Sequence, residues 1–169
     1  MKLKRIEECS LEMVREYKDV FTKNSASIHG GFFLEKFDDL NKWAEYERLV
    51  ELGQTEWIPS TTLFYVDESL GKIVGIISIR HNIEFEPLNK YYGHIGYSIH
   101  PDFRRLGHAK AMLEKTLPIC KELGIERVLI TCVKDNVASY KTIEANGGVL
   151  ESIVDVPNDT PHRRYWINL

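Results

Sequence analysis

Six consecutive residues, Arg104-Arg105-Leu106-Gly107-His108-Ala109, carry the clearest chemistry in the chain. They follow the apolar run "GHIGYSIH" and open a segment patterned as a helix, so a strand ends, turns and feeds a helix. Such a turn leaves several backbone N–H groups unpaired and pointing one way. Gly107 removes the Cβ that would bar close approach, and Ala109 nearly does so. Two cations at the positive end of a helix dipole repel it unless an anion lies between them. A phosphate or pyrophosphate suits this set of donors. Neither G-x-x-x-x-G-K-[ST] nor G-x-G-x-x-G occurs, so a P-loop nucleotide site and a dinucleotide fold are not indicated. The competing reading is a solvated helix start in which Gly107 only permits tight packing.

The elements around this stretch can be read from periodicity. "SLEMVREYKDVF" places Leu11, Val14, Tyr17 or Lys18, and Phe21 at helical spacing behind a cap at Ser10. "DDLNKWAEYERLVELG" repeats the pattern through Leu40, Trp43, Glu47 and Val50 and stops at Gly53. From Thr61 the period shortens: "TTLFYVDES" and "KIVGIISIRHNI" read as an antiparallel hairpin turning at Ser69-Leu70-Gly71. "FEPLNKYY", with Pro87, reads as a loop, and "GHIGYSIH" as a third strand. A helix is expected from Arg105 to about Leu123, with a kink or a strained turn at Pro118, ended by Gly124. "ERVLITCV" is a continuous apolar strand with the pattern of burial on both faces. "DNVASYKTIEANGG" is a short helix capped by Asp135 or Asn136, and two strands flank "PNDTP". The order predicts an α+β fold, a mixed and mostly antiparallel central sheet of about six to seven strands flanked by about four helices. Residues 1–169 read as a single domain.

Composition narrows the function classes. Twenty-two Lys and Arg against 25 Asp and Glu give a formal net charge of −3, which makes no general case for nucleic acid or an anionic membrane as partner. Cys9, Cys120 and Cys132 form no CxxC pair, and their odd number argues for a reducing compartment, so a cytoplasmic location is expected. The six histidines sit at no recognisable zinc spacing, so no metal is expected. No segment is apolar enough, for long enough, to span a bilayer.

Arg104 to Ala109 resembles the R/Q-x-x-G-x-G/A signature of the GNAT superfamily of N-acetyltransferases. The strand before it, the long helix after it, "RVLITC" and "DNVASYKTIEANGG" agree in order with that family over roughly residues 60 to 155. The wording is similar to a bacterial branch of predicted acetyltransferases. The resemblance implies acetyl-CoA as co-substrate, with the amides of Arg105, Leu106, Gly107, His108, Ala109 and Lys110 around its pyrophosphate and Arg104 beside them. It implies that the strand edge at residues 97–100 pairs with the pantetheine arm. That strand would splay from the one at 127–133, so that the cofactor fills the V. The N–H of Ile99 would polarise the acetyl carbonyl, and Asn136 would contact the cofactor arm.

The family's tyrosine on the last helix, which protonates the leaving thiolate, falls here on Ile143, and the smaller residue before it falls on Ser139. Tyr140 or Ser139 would substitute, or water would, since a thiol is acidic enough to leave without an enzyme acid. For the base, His94 has a suitable intrinsic pKa. Glu84 and Glu86 could act directly or through water, and His81 and His108 are weaker candidates. Each also has a structural reading: His94 as a strand histidine bonded to its neighbours, the glutamates as a solvated loop, Tyr140 as a packed aromatic.

Acceptor specificity should lie in "NSASIHGGFFLEKFDDL", "EFEPLNKYYG" and "VPNDTPHRRYW". Glu35, Asp38, Asp39, Glu84 and Glu86 would suit a cationic amine, whereas His162, Arg163 and Arg164 point the other way. Phe32, Phe33, Tyr91 and Tyr92 could line an apolar pocket or close the core. The sequence is therefore read as an acetyl-CoA-dependent N-acetyltransferase acting directly on a primary amine, of a small molecule before a protein. The alternatives are a non-catalytic acyl-CoA-binding module and a phosphate-polymer binder using the arginines. No nucleic-acid or membrane partner is expected, and a homodimer is left open.

Overall fold

Two capped helices begin the N-terminal layer. Ser10 Oγ accepts from Met13 N–H at the start of α1 (Leu11–Thr22), and the Asp39 carboxylate accepts from Asn41 and Lys42 N–H at the start of α2 (Leu40–Glu51). Val14, Tyr17 and Phe21 of α1 and Leu40, Trp43 and Val50 of α2 are buried, as their spacing predicts. The computed structural model describes residues 1–23 and 26–169. Asn24 and Ser25, which head the first acceptor stretch, lie outside the described residues.

The strands are β1 (Lys2–Lys4), β2 (Ser60–Asp67), β3 (Lys72–Arg80), β4 (Ile95–Ile99), β5 (Arg127–Val133), β6 (Val149–Val154) and β7 (His162–Asn168). α3 (His108–Glu122) connects β4 to β5, and α4 (Val137–Glu144) connects β5 to β6. The architecture is α+β. Instead of one continuous sheet, the strands form two antiparallel sheets, in the orders β1-β2-β3-β4 and β5-β7-β6. The residues of α1 and α2 pack with Phe64, Val66, Ile73 and Ile76 in one core. A second core gathers Val74, Ile77, Ile79, Met112, Leu113, Val128, Ile130, Ile143 and Tyr165, from both sheets, α3 and α4.

Four details differ from the sequence reading. β1 was not anticipated, because three residues carry no usable period; it pairs with β2 at the sheet edge, Lys2 opposite Val66. α3 starts at His108 rather than Arg105, since residues 101–103 form a separate 3-10 turn. The helix runs through Pro118, whose absent N–H would have paired with Glu114 on an exposed stretch where water can serve. Residues 88–92 of the expected loop wind into one π-helical turn.

Glu47 sits on the buried face of α2, 6% exposed, with no hydrogen-bond partner for Oε1 among the described residues. Burial raises its carboxyl pKa to about 8. The folded chain thus holds a proton here that the unfolded chain loses near pH 4.5, so stability falls as pH rises from about 4.5 to about 8. Glu47→Gln is expected to flatten that slope and to stabilise the protein by about 1–2 kcal/mol near pH 8. Thermal unfolding of both proteins across this range checks it; equal slopes would refute it.

Candidate active site

The two sheets meet at a single bridge among the described residues, Gly93 with Ile130. Gly93 has φ +69°, and a Cβ there would lie 2.4 Å from the Leu129 carbonyl oxygen, so only glycine allows this approach. His94 N–H donates to Leu129 O at 2.8 Å, and Leu129 N–H donates to His94 Nδ1 at 2.9 Å. The imidazole therefore replaces a backbone acceptor at the apex. Beyond it β4 and β5 part, each pairing only with its own sheet.

His100 N–H donates to Val74 O of β3. Antiparallel ladders alternate, so the amides of Ser98 and Gly96 also face β3 while those of Tyr97 and Ile99 face the gap toward β5. Ile99 lies at the mouth, and its carbonyl already accepts from Arg104 Nε at 3.1 Å. Tyr97 lies deeper. Its side chain reaches α4, where the phenol oxygen is 2.9 Å from Ser139 Oγ.

At the mouth, the chain turns through two left-handed residues, Arg105 (φ +62°) and Gly107 (φ +83°), before α3 begins. Residues 108–110 form the first helical turn, whose N–H groups have no intrahelical partner. Among the described residues, no acceptor is recorded for the amides from Arg105 to Lys110. A Cβ at Gly107 would meet nothing within 4 Å, so it would stand in open space beside this turn. Arg104, Arg105, Leu106 and Lys110 are exposed there, with His108 and Ala109 half-buried. The donor set and the free space fit a pyrophosphate.

The expected catalytic side chains separate on inspection. His94 is 7% exposed, and burial, with Arg80 adding to it, lowers its pKa to about 4. Because Nδ1 accepts from Leu129, the neutral ring carries its proton on Nε2 and has no free lone pair for a base. His94 is thus corrected to an apex-forming residue. Tyr140 packs against the second core, with the Arg163 guanidinium 4.7 Å from its ring centroid. Ile143 is fully buried beneath Gly148, in the core rather than the cleft. Asn136 caps α4 by accepting from Ser139 N–H at 3.1 Å, so its side-chain oxygen is already occupied. Glu84 is exposed, Glu86 pairs with Lys90 at 3.2 Å, and His81 bonds Thr61 Oγ1 at 2.9 Å. The Tyr97 strand edge was expected, but its side chain was not singled out, since the contact with Ser139 depends on where α4 ends up.

Two segments border the acceptor side. Gly30 lies directly on β4, where a Cβ would be 2.3 Å from Gly96 O, and Ser98 Oγ donates to His29 O at 2.8 Å. The turn at residues 88–92 lies on β5 and β7: the Tyr91 carbonyl accepts from Thr131 Oγ1 at 2.7 Å, and His162 Nδ1 lies 3.1 Å from it. Arg164 donates to Glu151 and to the Asn89 and Lys90 carbonyls, and Arg163 to Lys134 O. These arginines tie the hairpin down, which speaks against their serving an anionic acceptor. Asp39 is spent as the α2 cap and Asp38 is exposed, while one buried oxygen of Glu35 has no partner among the described residues. Phe32 and Phe33 pack with Trp57, ring centroids 6.0 and 5.7 Å away, in a partly exposed aromatic cluster.

The family described as acetyltransferase (GNAT) matches residues 20–147. No curated protein matches the chain. Among solved structures, it is similar to Mycobacterium smegmatis RimJ in complex with CoA-disulfide, with a TM-score of 0.69, 16% identity, and coverage of 98% of this chain and 80% of that one. It is also similar to a variant of spermidine N-acetyltransferase SpeG from Vibrio cholerae, with a TM-score of 0.68, 12% identity, and coverage of 99% and 95%. A third is an acetyl transferase from Salmonella typhimurium that modifies the N-terminal serine of a 50S ribosomal subunit protein, with a TM-score of 0.66, 18% identity, and coverage of 99% and 94%. At these identities the likeness is one of fold.

Proposed function

This chain belongs to the GNAT acetyltransferase family, and on that premise we propose that it moves an acetyl group from acetyl-CoA directly to a small primary amine. The observation that carries the reading is the open gap between β4 and β5, ending in the unpaired amides of residues 105–110. Those amides and the flanking Arg104, Arg105 and Lys110 would hold the pyrophosphate. The pantetheine arm would run down β4 as an added strand. A thioester at the far end of that arm lies deeper than Ile99, so the Tyr97 amide replaces Ile99 as the donor to the acetyl carbonyl. Ile99 N–H is left for the arm.

The acceptor would approach from the side bordered by His29–Gly31 and residues 88–92, between segments that lie directly on β4 and β5. A slim amine would suit an approach between those segments. Exposed His29, and exposed Glu84 in the loop leading into residues 88–92, are the titratable groups we place where the amine's proton leaves, with water carrying it onward. Among the described residues no group of three or more His, Cys, Asp or Glu could hold a metal. The exposed rings of Phe33, Trp57, Phe85 and Tyr92 favour a second reading, a peptide amine.

The test is thiol release from acetyl-CoA with mono-, di- and polyamines and with short peptides bearing free N-termini. Small amines should exceed the hydrolysis background at least tenfold. Release only with peptides would move the acceptor to protein. CoA binding with no release from any amine would leave an acyl-CoA-binding module.

A further inference from the structure

The turn that would hold the pyrophosphate is entered through a tight unit at residues 99–104. Phe103 N–H donates to His100 O at 2.9 Å, Arg104 N–H to Pro101 O at 3.2 Å, and Arg104 Nε to Ile99 O at 3.1 Å. Asp102 N–H donates to the imidazole Nδ1 of His100 at 3.2 Å. A ring nitrogen thus takes the place of an Asx side-chain oxygen, accepting from the amide two residues on. The Asp102 carboxylate stands 4.0 Å from the same nitrogen. The ring is half-buried between Phe103 and Tyr17, whose centroids lie 5.4 and 6.1 Å away.

We propose that His100 is a positioning residue for the cofactor turn, and that its protonation state selects between two arrangements of Asp102. In the neutral ring, with its hydrogen on Nε2, Nδ1 accepts from the Asp102 N–H. That bond sets the path on which Arg105 enters its left-handed conformation. In the protonated ring Nδ1 carries a hydrogen and faces the Asp102 N–H donor to donor, so the bond is lost. The Asp102 carboxylate becomes the favoured partner, a charged pair in place of a neutral bond. The chain then shifts at Arg104 and Arg105, and the amides from Arg105 to Lys110 no longer converge. The new charge also attracts a phosphate, but it is paired with Asp102 and screened by salt, so the loss of converging donors dominates. Facing the ring from other elements are Lys72 of β3 and, along the same cleft, Glu16, Asp19 and Lys23 of α1. Burial keeps the Tyr17 phenol un-ionised. Burial, first, also holds the His100 pKa below the ordinary histidine value; Asp102 opposes this, and Lys72 and Arg104 add to it. The neutral, turn-holding form therefore prevails at neutral pH and gives way in acid. This assignment rests on the proposed cofactor site.

The experiment needs no acceptor. CoA is titrated calorimetrically into the wild type, His100→Asn and His100→Ala at about pH 8 and about pH 5, a span that brackets histidine ionisation. Asparagine offers an amide oxygen to the same Asp102 N–H and takes up no proton, whereas alanine offers nothing. Protonation of CoA and of the other residues is common to all three proteins and cancels in the ratio of affinities. At about pH 8 the asparagine variant should bind within about twofold of the wild type, and the alanine variant about tenfold more weakly, the effect of one lost amide partner. At about pH 5 the wild type should fall about tenfold behind asparagine, to the alanine level. A wild-type to asparagine ratio that stays flat, or that moves in favour of the wild type as pH falls, overturns the proposal. So does an alanine variant that binds like asparagine at the higher pH. Thermal unfolding at each pH shows which proteins are folded; if alanine is not, the asparagine comparison decides alone. No CoA binding by the wild type at either pH is a separate result: it overturns the cofactor site, and this proposal with it.

Discussion

Gly107→Val should weaken CoA and acetyl-CoA binding by at least about 100-fold, near 2.7 kcal/mol at room temperature. The left-handed φ of +83° at this position is open to glycine and costly for any other residue, most of all a β-branched one. The added Cβ would meet no protein atom within 4 Å, so the fold itself offers no clash. On the proposed cofactor site, the valine side chain would project into space that the pyrophosphate needs. The expected stability loss is the backbone strain alone, about 1–2 kcal/mol. Gly107→Ala separates the two effects: similar strain, a smaller intrusion, and an intermediate loss of affinity. Calorimetric titration with CoA, beside thermal unfolding, measures both. Unchanged affinity in the valine variant would remove the phosphate site from this turn.

His94→Ala should cost about 2–4 kcal/mol of stability and leave the shape of the pH–rate profile intact. Both halves follow from the apex. Truncation strips the Leu129 N–H of its only acceptor among the described residues, in a buried position, and removes the ring at the junction between the sheets. A catalytic base would behave in the opposite way, losing rate at neutral pH with stability preserved. His94→Asn supplies a side-chain oxygen within reach of the same N–H and should recover part of the loss. The ring also makes wild-type stability acid-sensitive. The unfolded histidine takes a proton near pH 6.5 and the folded one not until about 4, so the unfolded state binds more protons in between. Stability therefore falls as pH drops from about 6.5 to 4, by roughly 3 kcal/mol at the end of the window. His94→Ala should lack that decline. Urea unfolding at several pH values tests the whole set, and a wild-type curve in the alanine variant would refute it.

Much of the fold was legible because it is periodic. Ser10 and Asp39 announced their helices by cap chemistry, and even the misfit of Glu47 in the α2 stripe proved a genuine burial. β1 was not legible, since three residues with two lysines owe their strand to the edge of β2 rather than to their own preference. The glycine turn before α3 was legible in place, with the helix boundary off by three residues. The catalytic side chains were the weakest part. His94 has the right chemistry in isolation, and only its bond to Leu129, 35 residues away, shows that the lone pair is taken. Arg163 and Arg164 looked like free cations until their carbonyl partners were seen.

The sequence by itself determined the family, the order of elements, and the glycine turn before α3. These are local matters of spacing, caps and backbone freedom, written within a few residues. The tertiary structure decided what faces the cleft. Strand alternation turned the Tyr97 and Ile99 amides to the gap, the apex at Gly93 and His94 opened it, and the packing of α4 carried Ser139 to the Tyr97 phenol. Each of those depends on hydrogen bonds between residues far apart in the chain, which no local pattern of residue types records.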